Sequence, residues 1–253
     1  MKVISNMDRR RVALRSAILI HSEMSTGYTG KEQGFATVHE VDDTEGQRPV
    51  IGAGRVLGAA EVERALSMLN PARSLAFLPN TLLAASNAAL VWWRPPAKAR
   101  VWFSVRGEPK IQDKTAITPH PGLVFAATPG DWFVFAVKGS ERPTPDTPLF
   151  QAPYMNVWDS GRICTGNANV PKSLLPESTK QFEAAWFESQ FTHSNIHQKG
   201  RLLKWRGGPS AFWLSMLEGR HKEFPERVLV PLKATLATVL SGLSTGSNPG
   251  VRA

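Results

Sequence analysis

The pattern of apolar and polar positions predicts two strands near the N-terminus. Arg15 to Ile20 and Phe35 to Val41 are rich in apolar and β-branched residues, and the polar stretch between them contains three glycines. A polar break follows at residues 42–49. We therefore predict a small β extension over residues 1–48 and a main domain over residues 49–240.

The main domain is predicted to start with a helix, because apolar residues recur at helical spacing from Val62 to Leu69 and Asn70-Pro71 ends the pattern. A proline-rich segment, a polar loop and two helices are predicted to end the domain, and the second helix is predicted to run from Pro209 to Gly219. Residues 241–253 are expected to be disordered. Between the first helix and the proline-rich segment lie four strand-like runs, Ala89 to Arg94, Arg100 to Val105, Gly122 to Ala127 and Trp132 to Val137. This order predicts an α+β fold, an antiparallel strand meander flanked by helices.

The polar loop contains the only cysteine of the chain, Cys164. Asn156 precedes it by eight residues, Gly161 by three and Arg162 by two. A thiolate is a strong nucleophile, and a nearby positive charge favours it. An Asn side chain can donate hydrogen bonds to the oxyanion that forms when an acyl carbon is attacked. The loop therefore has the groups that a thioester-forming cysteine requires, although free cysteine is also a common buried core residue.

Two segments carry a resemblance to a known family: Pro153-Tyr-Met-Asn156-Val-Trp-Asp-Ser-Gly161-Arg-Ile-Cys164 and Trp186-Phe-Glu-Ser-Gln-Phe-Thr-His193. They resemble the active-site loop of the ubiquitin-conjugating-enzyme fold. More closely, they resemble the family of protein B of the bacterial PRTRC system, which is grouped with prokaryotic conjugating-enzyme-like proteins as family D. This chain departs from the conjugating-enzyme pattern at three positions, where Tyr154 and Met155 replace His and Pro, and Thr165 replaces Leu.

The resemblance implies a ubiquitin-conjugating-enzyme-like fold and a transferase that carries a ubiquitin-like modifier as a thioester on Cys164. Asn156 would hold the oxyanion, so Asn156→Ala is expected to slow transfer to amines with stability little changed. The implied partners are the modifier, a ThiF-type activating protein and a Jab1-type metallopeptidase, and no cofactor or metal is expected. The residues expected to support the site are Tyr154, Asp159, Gly161, Arg162 and His193. Either Tyr154 or Trp158, which flank the loop, is expected to wall the thioester from water or to touch the incoming protein.

The charge and the cysteine content of the chain bear on alternative functions and on the cellular location of the protein. The chain has 30 Lys and Arg against 21 Asp and Glu, a net charge of +9, with basic clusters at Arg9 to Arg11, Lys199 to Arg206 and Arg220 to Lys222. A basic nucleic-acid-binding protein of plasmid maintenance is therefore one alternative. A non-catalytic adaptor of the same fold is another, because a site can be lost while its fold is kept. A single cysteine forms no internal disulfide, which favours the cytoplasm. No apolar run is long enough for a membrane helix.

Two further motifs are weaker. Gly52, Gly54 and Gly58 form a G-x-G-x-x-x-G pattern near a dinucleotide fingerprint, but the predicted meander does not alternate strands with helices as a dinucleotide-binding fold does. A tight turn into the first helix is the favoured interpretation. His193 and His197 have i, i+4 spacing that suits zinc, but no third ligand follows, which favours a helix end.

Overall fold

The computed structural model describes residues 14–22, 34–42, 48–63, 78–105, 107–166, 168–196 and 201–244. The chain divides into two compact units, Met1–Ala76 and Phe77–Ala253. Within the described part, none of the helices is long and apolar enough to cross a membrane.

The first unit contains a three-stranded antiparallel sheet in the order β1-β2-β3. Its strands are β1 (Ser16–Ser22), β2 (Gly34–Asp42) and β3 (Val50–Val56), so the two predicted N-terminal strands are present. Because β3 pairs with β2, this unit continues past the boundary expected at 48/49. Residues 59–63 are helical, and the remainder of the predicted first helix lies outside the described residues.

Gly52 and Gly54 lie within β3, so the dinucleotide interpretation is wrong, and so is the favoured tight turn into the first helix at these two glycines. A phosphate-binding loop needs free backbone N–H groups at a helix N-terminus, whereas β3 pairs with β2 across this segment. Gly54 has a packing role instead, because a Cβ at this position would collide with the ring of His39 on β2. The His39 ring also makes a 2.9 Å hydrogen bond to the carbonyl of Gly52.

The second unit is built on a six-stranded antiparallel sheet in the order β12-β10-β9-β8-β5-β4. The central strands β8 and β9 are buried at every residue, as continuous apolar runs predict. The six strands are β4 (Leu82–Ala85), β5 (Leu90–Arg94), β8 (Gly122–Ala127), β9 (Trp132–Val137), β10 (Pro148–Gln151) and β12 (Pro231–Thr235).

A second, three-stranded sheet corrects the predicted meander. It has the order β11-β6-β7 and consists of β6 (Ala97–Phe103), β7 (Lys114–His120) and β11 (Gln190–Phe191). The predicted second strand of the meander, β6, leaves the main sheet because it pairs antiparallel with β7 and parallel with β11. The polar sequence of β7 gave no strand signal.

In the described part of the chain, three helices cover the two faces of the main sheet: α1 (Thr179–Phe187), α2 (Gly208–Leu217) and α3 (Leu236–Ser244). Residues of α1 and α2 share a core with one face of the sheet, and residues of α3 share a core with the other. Short 3-10 turns lie at Pro176–Ser178 and Glu226–Val228. The predicted helix from Pro209 to Gly219 is present as α2. Helix α3 reaches Ser244 and so includes the start of the segment expected to be disordered.

Candidate functional site

The loop that precedes Cys164 is held against the main sheet by backbone hydrogen bonds. The amide of Val134 on β9 donates to the carbonyl of Gly161 (2.9 Å), and the amide of Ile163 donates to the carbonyl of Trp132 (2.7 Å). Cys164 therefore directly follows a segment that is fixed beside the first residues of β9.

Asn156 links this loop to the segment after α1. Its Nδ2 donates to the carbonyl of Gln190 (2.8 Å), and its Oδ1 accepts from the backbone amide (3.1 Å) and hydroxyl (3.2 Å) of Thr192. Its backbone amide donates to the carbonyl of His193 (2.9 Å), and its carbonyl accepts from the amide of Cys164 (2.7 Å). The backbone of Asn156 has φ +64°, a left-handed conformation that Asn tolerates better than most residues. Asn156 thus braces the loop and holds the backbone of Cys164.

Cys164, Asn156 and His193 line one cleft of about 460 Å³. Trp186 of α1 and Glu188, the residue after α1, also line it. The Cys164 side chain is half-buried and its thiol is free. His193 is exposed, and its Nδ1 lies 2.9 Å from the hydroxyl of Thr192. The structure therefore brings the predicted nucleophile, the predicted amide and the predicted histidine into one cavity.

Two of the predicted supporting residues, Arg162 and Asp159, do not line this cleft. The Arg162 Nε lies 2.6 Å from a carboxylate oxygen of Asp131, and both side chains are more than a third exposed. The charge expected to favour the thiolate is therefore compensated by a carboxylate. Asp159 is exposed in a turn that the amide of Gly161 closes on the carbonyl of Trp158.

Tyr154 points into the core, which corrects the expectation that it walls the thioester or touches the incoming protein. It is fully buried and stacks on Phe191 and Trp213. Burial raises the pKa of its phenol. Trp158, by contrast, is 42% exposed, so of the two aromatic residues only Trp158 is available to a partner.

Gly161 has a left-handed backbone conformation, which favours glycine. Its φ is +80°, and a Cβ would collide with the ring of the fully buried Phe135. We expect Gly161→Ala to lower the free energy of unfolding by about 2 kcal/mol, since left-handed strain and overpacking add. Gly166→Ala is the matched control, because Gly166 has φ +51° but a Cβ there meets no described atom within 4 Å. Chemical denaturation of both variants measures the difference, and equal losses would show that the Phe135 contact is unimportant.

The exposure of Cys164 predicts that iodoacetamide modifies the native protein at this residue. Labelling that requires denaturant would show that the thiol is a buried core group.

Arg162→Gln should change the free energy of unfolding by less than about 1 kcal/mol, because an ion pair with an exposed partner such as Asp131 contributes little. An unchanged labelling rate in this variant would show that the guanidinium does not act on the thiol.

The partners of Asn156 were not found from the sequence. Gln190, Thr192 and the backbone of His193 follow it by 34 to 37 residues, and only the turn of the chain after α1 brings them to the loop. Local spacing contains no signal for such contacts.

The histidine pair and the basic clusters noted in the sequence lie partly outside the described residues. The described residues contain no group of three His, Cys, Asp or Glu side chains suited to a metal ion, and His197 of the predicted pair lies outside them. The cluster at Arg9 to Arg11 also lies outside, as do residues 197–200. Arg220, in the third cluster, pairs with Glu218 at 2.7 Å.

The family model described as prokaryotic E2 family D matches residues 60–232, more than half of the chain. The chain belongs to this family. Membership confirms the family D resemblance that the cysteine loop predicts. It gives the protein a ubiquitin-conjugating-like role and implies, in general, interaction with a ubiquitin-like modifier and an activating enzyme. Searches of curated proteins and of solved structures give no match.

Proposed function

We propose that this family D protein carries a ubiquitin-like modifier as a thioester on Cys164 and passes it to an amine, as part of a bacterial PRTRC system. The main support is the cleft in which a half-exposed thiol lies with Asn156 and His193. Family membership supports the same chemistry. The proposed location is the cytoplasm, and the proposed partners are a ThiF-type activating protein and a Jab1-type metallopeptidase.

The proposed reaction has two acyl transfers. In the first, the Cys164 thiolate attacks the acyl carbon of the modifier's thioester on the activating protein, a new C–S bond forms, and the activating protein's cysteine leaves as a thiolate. In the second, an amine nitrogen attacks the same carbon, a C–N bond forms, and Cys164 leaves as a thiolate. The proton lost by the amine needs an acceptor, and His193 is the proposed one because its imidazole lines the cleft.

Asn156 has a proposed role in both stability and transfer. Its Nδ2 carries two N–H bonds, of which one is used by the carbonyl of Gln190. The second N–H is the proposed donor to the oxyanion that forms on the acyl carbon. The brace described above orients the amide before the reaction, so little reorganisation is required.

The test is a loading reaction with purified components. The chain is incubated with the ThiF-type protein, the ubiquitin-like modifier and ATP, and the products are separated without reducing agent. We expect an adduct of the chain and the modifier that disappears on treatment with a thiol. An activating protein that becomes charged while this chain forms no adduct would refute the proposed function.

A further inference from the structure

A buried histidine outside the cleft contacts the loop that carries Asn156 and Cys164. His120, the last residue of β7, is 1% exposed. Its Nδ1 lies 2.8 Å from the hydroxyl of Tyr154, which is fully buried. The site described above does not use this pair, whose burial is compensated by the hydrogen bond between its members.

The direction of this hydrogen bond follows from the other contacts of the ring. His120 Nε2 lies 3.3 Å from the carbonyl of Ala99 and 3.2 Å from the hydroxyl of Thr118. A carbonyl only accepts, so Nε2 carries the proton, and the bare Nδ1 accepts the hydrogen bond of the Tyr154 hydroxyl. Burial lowers the pKa of His120 to about 3, so the imidazole is neutral near pH 7 and this direction is maintained.

The contact lies at the start of the loop. The indole N–H of Trp213 donates to the carbonyl of Pro153 (2.8 Å), so two successive residues, Pro153 and Tyr154, are held by side chains of the core. Asn156 follows Tyr154 by two residues, and its carbonyl accepts from the amide of Cys164. A short path of covalent and hydrogen bonds therefore leads from β7 to the backbone of Cys164.

We propose that the hydrogen bond between His120 and Tyr154 positions Asn156 and Cys164 for acyl transfer, an inference that rests on the proposed function. His120 is a positioning residue, since it acts through Tyr154 and does not touch the reacting atoms. The Tyr154 ring stays packed between Phe191 and Trp213 without its hydroxyl. In this proposal the hydroxyl fixes the orientation of the ring and, through Met155, that of the left-handed Asn156.

The first test needs no modifier. Tyr154→Phe removes only the hydroxyl, and hydrogen exchange is followed at the amides of Asn156 and Cys164. We expect exchange there to become about fivefold faster, which corresponds to the loss of one hydrogen bond. The matched control is Ser215→Ala, which removes another buried hydroxyl that contacts a histidine ring, His221, at 3.1 Å. This control should leave the two loop amides within about twofold of wild type.

The second test measures discharge of a loaded modifier to an amine. We expect Tyr154→Phe to slow discharge about tenfold, and to add less than about twofold in an Asn156→Ala background, because a residue that acts through another shows non-additive effects. Ser215→Ala should discharge at the wild-type rate. Full additivity with Asn156→Ala, or discharge by Tyr154→Phe at the wild-type rate, would overturn the inference.

The two tests separate the inference from the proposed function. If wild type forms no thioester but the loop amides of Tyr154→Phe exchange faster, the proposed function fails while the structural link from His120 to Cys164 stands. If wild type loads and discharges while Tyr154→Phe changes neither exchange nor discharge, the proposed function stands and the inference fails.

Discussion

Replacing Cys164 with alanine should abolish adduct formation with the modifier, and replacing it with serine should give an adduct that resists thiols. Alanine removes the nucleophile. Serine presents an oxygen in the same place, and an ester on oxygen is not cleaved by thiol exchange. Intact-mass measurement before and after treatment with a thiol distinguishes the three outcomes. Because Cys164 is the only cysteine of the chain, a thiol-labile adduct on the wild-type protein has one assignment.

The neighbouring Thr165→Ala variant is the control, since Thr165 lines the same cleft but supplies no thiol. It should load as wild type does. A wild-type protein that forms no adduct, together with a Cys164→Ala variant that keeps biological activity, would favour the non-catalytic adaptor. Sequence-specific DNA binding that is insensitive to salt in the same protein would favour the nucleic-acid alternative, because non-specific binding of a basic chain weakens steeply with salt.

The strands of the main sheet were predictable where an apolar run ended at a turn. Gly122–Ala127 and Trp132–Val137 were predicted with the observed bounds, because both are buried on both faces and are separated by a Pro-Gly turn. β7 was missed because its inward-facing residues include Thr118 and His120, which are polar. Their hydrogen bonds to each other and to Tyr154 satisfy these groups, and a tertiary contact of this kind has no signal in a local hydrophobic pattern.

The candidate site was predictable in its local part. Spacing brought Asn156, Gly161 and Cys164 together, and the structure connects all three through the backbone of one loop. The spacing of residues in the sequence could not show that Arg162 pairs with Asp131, since that carboxylate belongs to the turn before β9. The burial of Tyr154 could not be predicted from the sequence either, because the residues that enclose it come from β7, β11 and α2.

Asn156→Ala should lower the free energy of unfolding by about 3 kcal/mol, the sum of its lost side-chain hydrogen bonds and the left-handed strain of alanine. This expectation differs from the one that the sequence alone supports, a slow transfer with stability little changed, because the side chain bonds Gln190 and Thr192. Discharge of a loaded modifier should also slow on the order of a hundredfold. Denaturant unfolding and single-turnover discharge measure the two effects.

Two matched variants separate the brace from the proposed oxyanion contact. Asn156→Gly also lacks the amide but tolerates the φ of +64°, so it should recover about 1 kcal/mol relative to alanine without recovering discharge. Asn156→Asp keeps the oxygen that accepts from Thr192 and loses the N–H donors. If Asp recovers stability but not discharge, the donor acts in transfer. If Asp recovers both, Asn156 serves only as a brace, and the oxyanion must be stabilised by another group of the cleft.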